Sequence, residues 1–188
     1  MRRLDRVAIT EFWRIERRIR QCIPALFGSL VFFSAISFAG NRGVDMSETA
    51  RVVQVINDAL AAFRSGDLVA FKAAWAPSVE IVDDVPPYLW SGERSLERWI
   101  DDTGNAIAKL NLADLDIRSK APLHVEITGD AAYVVLPVVV TYKRAGKSYI
   151  QEGTQVLVMI RTKDGWKMRT MSYAAAPAIP SDQSSVGQ

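Results

Sequence analysis

The chain has 188 residues and a formal net charge of +2, and 49% of its residues are apolar. This length and composition predict one globular domain with a core of its own and exclude two full-sized domains. The positive charge belongs to residues 1–45, which hold eight arginines against four acids, whereas the remaining residues hold fifteen basic side chains against seventeen acids. We therefore expect no nucleic-acid partner for the folded part. Cys22 is the single cysteine, which excludes an intrachain disulfide.

Residues 1–45 form a basic and apolar leader with three open interpretations. An arginine-rich segment precedes an apolar run from Cys22 to Ala39, which has the outline of a signal peptide. The run is just long enough for a membrane anchor, although Pro24 weakens that interpretation. Met46 is a natural start, so the leader is alternatively a non-translated extension. The protein is then cytoplasmic if translation starts at Met46, and otherwise exported or membrane-anchored.

Two helices are predicted at the start of the domain. Ser47 can cap a first helix, in which apolar residues recur at spacings of three and four from Val52 to Phe63. The sequence Ser65-Gly66-Asp67 ends that helix and starts a second, short helix over Leu68–Trp75.

A strand and a third helix follow. The strand covers Val79–Asp83 and must end before Pro86, because a proline cannot donate to a strand ladder. The third helix begins after Gly92, and its apolar stripe from Leu96 to Leu110 is expected to be buried.

After Leu112 the pattern becomes that of strands joined by tight turns, each with the Gly or Asp that hairpins need. The predicted strands are Leu112–Thr128, Ala131–Lys143, Ser148–Thr162 and Trp166–Ala174. Helices followed by consecutive antiparallel strands predict an α+β domain over residues 46–176, in which three N-terminal helices back a curved sheet. Residues 177–188 are predicted to be a disordered tail.

Two features of these strands carry further predictions. Pro137 lies inside the strand Tyr133–Tyr142, which indicates a bulge and strong curvature there. The same strand and Val156–Ile160 are apolar on both faces, whereas a sheet with one wet face should alternate. We therefore predict that helices cover one face and that a second subunit covers part of the other, giving a homodimer through the sheet face.

Several short motifs in the domain carry a family resemblance. They are Val79-Glu-Ile-Val-Asp-Asp84, Pro86-Pro87-Tyr88-Leu-Trp90-Ser-Gly92, Gly129-Asp130-Ala-Ala-Tyr133, Glu152-Gly153-Thr154 and Asp164-Gly165-Trp166. Together they resemble the SnoaL-like branch of the nuclear transport factor 2-like (cystatin-like) superfamily over residues 47–176. The resemblance implies a cone-shaped fold, an internal pocket between the helices and the concave sheet, and usually a homodimer. The superfamily holds isomerases, cyclases and dehydratases beside non-catalytic members, so the fold does not choose an activity.

Asp83 and Asp84 are the candidate catalytic carboxylates. A carboxylate at a strand end beside an apolar pocket can have a raised pKa and can abstract a proton next to a carbonyl. Strand alternation sends the two side chains to opposite sides, so at most one is expected to face the pocket. In the alternative interpretation both are turn residues that cap the loop before Pro86.

Aromatic side chains are the next candidates. Tyr88 is the candidate catalytic donor, whose phenol would bind a developing oxyanion. Trp90, Trp99 and Tyr133 are the candidate walls of the substrate site. Alternatively, Tyr88 and Trp90 close the open end of the cone and pack on Trp99.

Glu152 is the last candidate for substrate binding. It shares a strand face with Ile150 and Thr154, so it can be drawn into the interior, where it would need a partner such as Arg169. The alternative is a salt bridge at the sheet edge. His124 lies among polar side chains, so we expect it to face solvent or a partner rather than to catalyse, and a lone histidine predicts no metal site.

These observations leave two functional hypotheses. The first is an isomerase, cyclase or dehydratase that acts without a cofactor on a small apolar carbonyl compound. The second is a non-catalytic module that binds a small apolar ligand or dimerises. A membrane is a partner only if the leader is a true anchor.

Overall fold

The computed structural model describes residues 47–183, so the interpretations of the leader lie outside the described residues. The helices are α1 (Glu48–Ser65), α2 (Leu68–Ala73) and α3 (Ser95–Lys109), and a 3-10 turn covers Ser181–Gln183. The strands are β1 (Trp75–Val82), β2 (Leu89–Trp90), β3 (Leu112–Ser119), β4 (His124–Thr128), β5 (Ala131–Arg144), β6 (Lys147–Thr162), β7 (Gly165–Ala175) and β8 (Ile179–Pro180). None of the described helices has the length and apolarity needed to cross a membrane.

The first two helices are capped as their sequence predicts. The Ser47 hydroxyl accepts a hydrogen bond from the backbone N–H of Ala50 at 3.2 Å. Gly66 ends α1 in the left-handed conformation with φ of 71°, and Asp67 then caps α2. α2 ends at Ala73, before the predicted end at Trp75, because Trp75 already belongs to β1.

The sheet has the strand order β2-β1-β7-β6-β5-β3, with β4 also paired to β5 and β8 to β6. β1 runs parallel to β7, and the other pairs are antiparallel. The predicted strand Leu112–Thr128 is two strands, β3 and β4, because Pro122 lies in the segment between them. The prediction of a disordered tail from residue 177 is wrong at its start, since β8 pairs with Tyr149 and Ile150 of β6.

Pro137 causes no bulge, contrary to the prediction from sequence. β5 and β6 pair in an unbroken register that includes Pro137 opposite Thr154. On its other edge β5 changes neighbour at this point, since pairing with β3 ends at Val138 and pairing with β4 begins at Val135. The carbonyl of Pro137 accepts from the backbone N–H of Lys120 on that edge, so the missing N–H of the proline falls where no ladder bond is required.

The two faces of the curved sheet differ in burial. The inner face packs on the helices, and its residues Val134, Leu136, Val138, Leu157 and Met159 are 0–1% exposed. On the outer face, Val135, Val139, Val156 and Val158 are half-buried. The predicted α+β architecture, a curved sheet backed by N-terminal helices, is thus confirmed. It places a core and a cavity on the inner face.

Candidate functional site

A cavity of about 180 Å³ lies between the helices and the inner face of the sheet. Four aromatic rings form a cluster at the helical side of the cavity, with neighbouring ring centroids 5.3–6.4 Å apart. These rings belong to Phe63, Phe71, Trp75 and Trp99. Most of the remaining wall is aliphatic and comes from every layer of the fold: Ile56, Leu60, Ile107, Leu112, Leu115, Ile117, Val140, Leu157, Met168 and Met171. The cavity therefore suits an apolar molecule.

Asp83 brings a carboxyl group into this apolar wall. It follows the last residue of β1, where the chain leaves the sheet for the loop that contains Pro86 and Pro87. The indole N–H of Trp99 donates to Asp83 Oδ2 at 2.6 Å, and the backbone N–H of Asp84 donates to Asp83 Oδ1 at 2.7 Å. The two donors fix the orientation of the carboxyl group, and each oxygen keeps a second lone pair for another partner.

The surroundings of Asp83 disfavour its charged form. Burial raises the pKa of Asp83 to about 6, and the neighbouring Asp84 adds to the rise, whereas the hydrogen bonds from Trp99 and from the Asp84 backbone oppose it. Proton uptake and release by this carboxyl group therefore fall close to neutral pH, where a general base is most useful.

Asp84 also lines the cavity but is exposed. Its Oδ2 accepts from Gln151 Nε2 at 3.3 Å, and the same nitrogen donates to the carbonyl of Ala176 at 3.0 Å. The expectation that alternation would turn one aspartate away does not apply, because β1 ends at Val82 and both aspartates lie beyond it. The hydrogen bond from the Asp84 N–H to Asp83 also agrees with the alternative interpretation as a turn, so the two interpretations are compatible for Asp83.

Three buried polar atoms, each on a residue of the cavity wall, have no hydrogen-bond partner among the described residues. They are Trp75 Nε1, Thr103 Oγ1 and Tyr173 Oη. Buried polar groups are usually paired, so unpaired ones in a cavity wall indicate where a ligand or a water molecule binds. Sequence reasoning assigned none of these three groups to the site.

Tyr173 occupies a place that Gly153 leaves open. An added Cβ at Gly153 would lie 2.4 Å from Cε2 of the Tyr173 ring, so the ring rests directly on the glycine backbone. A glycine inside a strand marks such a close approach, and this was the signal in the sequence that could have pointed to the site. Burial raises the pKa of Tyr173, and the charges of Asp84 and Asp83 raise it further, so the phenol keeps its proton at neutral pH.

The structure brings Asp83, Asp84 and Trp99 together in the cavity wall and places the other predicted site residues elsewhere. Tyr88 has a positive φ of 74° in the turn before β2, and it is 58% exposed and does not line the cavity. Trp90 is 2% exposed and donates to Asp102 Oδ2 at 2.8 Å, which agrees with the alternative interpretation as a packing residue.

Tyr133 and Glu152 lie on the outer face of the sheet. Tyr133 is 44% exposed, and its ring is 6.0 Å from that of His124. Glu152 forms an exposed ion pair with Lys120 at 2.8 Å, as the salt-bridge alternative predicted, rather than entering the interior. His124 is exposed and lies 3.4 Å from Glu126, as expected from its polar neighbours.

The charge of the cavity wall has one sign. Among the described residues that line it, the acids Asp83 and Asp84 occur together with neutral side chains, and Lys, Arg and His do not occur. Within residues 47–183, no three potential metal ligands of the His, Cys, Asp or Glu type are grouped together.

Comparisons with known proteins agree with this architecture. A family model described as "SnoaL-like domain" matches residues 52–177. No curated protein matches the chain significantly.

Solved structures with the same fold include proteins of different kinds. The CaMKII hub of S. rosetta is 20% identical, covers 71% of this chain and 100% of its own, and has a TM-score of 0.57. A ketosteroid isomerase-like protein of Erwinia carotovora is 16% identical, covers 69% and 98%, and has a TM-score of 0.54. The hexachlorocyclohexane dehydrochlorinase LinA type 3 of Novosphingobium barchaimii is 13% identical, covers 69% and 87%, and has a TM-score of 0.57. At such identities the likeness shows the fold alone.

Proposed function

The chain belongs to the SnoaL-like domain family, and from this premise we propose that its cavity is the active site of a cofactor-free isomerase or dehydratase for a small apolar carbonyl compound. The observation that carries the proposal is Asp83, a carboxyl group held by two hydrogen bonds in an otherwise apolar wall. The fold is compatible with catalysis, since a dehydrochlorinase has it, but a kinase hub has it too, so the fold does not decide.

The chemistry follows from the position of this carboxyl group. The carboxylate of Asp83 takes a proton from the carbon next to the carbonyl, and the electron pair of that C–H bond moves into an enolate. The protonated carboxyl group then returns the proton to a different carbon, which isomerises the substrate, or protonates a leaving hydroxyl group, which dehydrates it. A pKa of about 6 lets Asp83 act as a base at neutral pH and remain a competent acid in the second step.

The test is the exchange of α-protons of a small bicyclic ketone such as 1-tetralone for deuterium, followed by proton NMR in D₂O. Asp83→Asn keeps an acceptor for Trp99 but removes the base, so the rate above buffer is expected to fall by about 10²–10⁴-fold. Asp58→Asn is the matched control, because Asp58 is exposed on α1 and does not line this cavity.

Two outcomes would change the proposal. Equal exchange by the wild type and Asp83→Asn would contradict the role of Asp83 as the base. Binding of the ketone by the wild type without any exchange above buffer would favour the alternative, a non-catalytic ligand-binding module.

We also propose that two copies associate through the outer face of the sheet. Half-buried Val135, Val139, Val156 and Val158 on that face support this, together with the exposed ring of Tyr133. Covering such apolar side chains with a second copy lowers the free energy, because it removes apolar surface from water.

Analytical ultracentrifugation at micromolar concentration tests the association. We expect a dimer for the wild type and a monomer for Val158→Lys, because the charge would lie in the interface. Val69→Lys is the control, since Val69 is 82% exposed on α2. A monomeric wild type would refute the association.

The location of the protein follows from the first residue of the mature chain, which amino-terminal sequencing determines. A start at Met46 would support a cytoplasmic protein, a start at Gly40 an exported one, and a retained leader a membrane-anchored one.

A further inference from the structure

The phenol of Tyr173 has the features of a hydrogen-bond donor to a ligand. Tyr173 belongs to the cavity wall, and its hydroxyl oxygen is buried and has no partner among the described residues. Leaving such a group unpaired is unfavourable, so occupation of the cavity by an accepting atom is favoured.

The position of the hydroxyl is fixed before any ligand arrives. The ring packs on the backbone of Gly153, where even a methyl group has no room. Tyr173 of β7 pairs with Gln155 of β6, which is 6% exposed. The strand ladder therefore sets the position of the ring along the cavity. A donor that is held in place loses little entropy when it binds an acceptor.

The charges in the wall decide which acceptors are tolerated. Asp83 and Asp84 are the charged groups that line the cavity within the described part of the chain, and no cation there would offset a ligand's negative charge. An anion would face two carboxylates in an apolar environment, where like charges are costly. A neutral oxygen, such as that of a ketone, avoids this cost.

We propose that Tyr173 binds the oxygen of the ligand and that the cavity selects neutral carbonyl compounds over carboxylates of the same size. The inference rests on the proposed function, since it assigns the oxygen of the same substrate. It replaces Tyr88, the donor predicted from sequence, with a residue of β7 on the inner face of the sheet. The hydroxyl donates its hydrogen to the carbonyl oxygen and binds it more strongly as negative charge develops there.

A cycle of two proteins and two ligands isolates this hydrogen bond. The ligands are 1-tetralone and tetralin, which differ in the carbonyl oxygen, and binding is measured by calorimetry on the full chain. Tyr173→Phe removes the hydroxyl and keeps the ring on Gly153. We expect it to weaken 1-tetralone binding about tenfold and to change tetralin binding less than twofold. Tyr149→Phe is the matched control, because Tyr149 does not line the cavity, and it should change neither.

A third ligand tests the charge selection. 1-Naphthoate has the same bicyclic size and carries a carboxylate, and we expect the wild type to bind it at least ten times more weakly than 1-tetralone. Gly153→Ala supplies an independent variant, because the added methyl group displaces the ring while the hydroxyl stays in the sequence. We expect it to weaken 1-tetralone binding more than tetralin binding.

Three results would overturn the inference. Equal losses for 1-tetralone and tetralin in Tyr173→Phe would show that the residue acts through packing. Unchanged 1-tetralone binding would show that the hydroxyl binds water or nothing. Equal affinity for 1-naphthoate and 1-tetralone would reject the selection of neutral ligands.

Failure of the proposed function is recognised separately. If α-proton exchange is absent but the effect of Tyr173→Phe on 1-tetralone persists, the oxygen site stands and the base does not. Asp83→Asn provides the reverse control. It should abolish exchange, while Tyr173→Phe added to this variant should still weaken 1-tetralone binding.

Discussion

Glu48 and Asp83 are two of the carboxyl groups in this domain that accept a hydrogen bond from a tryptophan indole, and their pKa values move in opposite directions. At the edge of the domain, Trp166 donates to Glu48 Oε2 at 2.9 Å, and the pKa of Glu48 falls to about 2. In the cavity wall, Trp99 donates to Asp83 Oδ2 at 2.6 Å, and the pKa of Asp83 rises to about 6. The indole donor therefore does not determine the direction in which the pKa of the carboxyl group shifts.

The surroundings of the two carboxyl groups explain the difference. Glu48 is partly exposed, and its charged form is stabilised by the indole of Trp166 and by the guanidinium groups of Arg161 at 3.0 Å and Arg51 at 2.6 Å. Asp83 is surrounded by apolar side chains, and its nearest ionisable neighbour is the acid Asp84. Burial without a cation thus outweighs a good hydrogen bond. The Glu48 cluster connects α1 to β6 and β7, whereas the Asp83 environment is suited to proton transfer.

The largest expected effect is on the pH dependence of stability. Because the pKa of Asp83 is raised, the native state holds its proton more tightly than the unfolded chain, and the free energy of unfolding falls as the pH rises from about 4 to about 6. Asp83→Asn removes this loss, so at pH 8 the variant should be more stable than the wild type by on the order of 2 kcal/mol. Urea unfolding at pH 4 and pH 8 measures it. Equal changes in the free energy of unfolding of the wild type and the variant between pH 4 and pH 8 would show that the charged form of Asp83 is not penalised.

A smaller effect is expected when each indole donor is removed. Trp99→Phe should raise the pKa of Asp83 by about one unit, because a hydrogen bond that favours the carboxylate is lost. Trp166→Phe should also raise the pKa of Glu48, but the guanidinium groups of Arg161 and Arg51 keep it below the ordinary glutamate value. Carboxyl-carbon NMR titration of both variants provides the measurement. A fall of the Asp83 value in Trp99→Phe would contradict the assigned role of the indole.

The smallest effect is expected from the neighbouring acid. Asp84→Asn should lower the pKa of Asp83 by less than about one unit, because burial contributes more to the rise than the charge of Asp84 does. The pH profile of ketone α-proton exchange would then move slightly toward acid. A shift of its midpoint to the ordinary aspartate value would show that repulsion by Asp84, not burial, is the main cause.

The helical half of the site could be predicted from the sequence, because the sequence signals for it are local. Apolar spacing in α3 places Trp99 on the buried face, and a strand that must end before Pro86 places Asp83 at its end. Capping by Ser47 and the Gly66 turn likewise depend on neighbouring residues.

The position of Tyr173 could not be predicted in this way, because the alternation of inward and outward side chains fails along β7. Trp166 and Met168 are buried, so strict alternation would turn Met171 and Tyr173 outward. The register shifts instead, since Met168 and Thr170 pair with consecutive residues of β6 and Arg169 is the extra residue between them. This bulge returns Tyr173 to the inner face.

Glu152 illustrates a different limit. Alternation correctly groups it with Thr154 and Val156, but both faces of β6 are apolar, and periodicity does not tell which face is inside. The helices that cover Leu157 and Met159 decide this, and their position depends on the whole fold.

The role of Asp83 as the base is tested most directly by its pKa in the wild-type protein, measured by NMR titration of its side-chain carboxyl carbon with Asp83→Asn to assign the signal. We predict a midpoint at about 6. A midpoint near 3.9, the ordinary value for aspartate, would contradict it, because the carboxyl group would then have no special capacity for proton transfer at neutral pH.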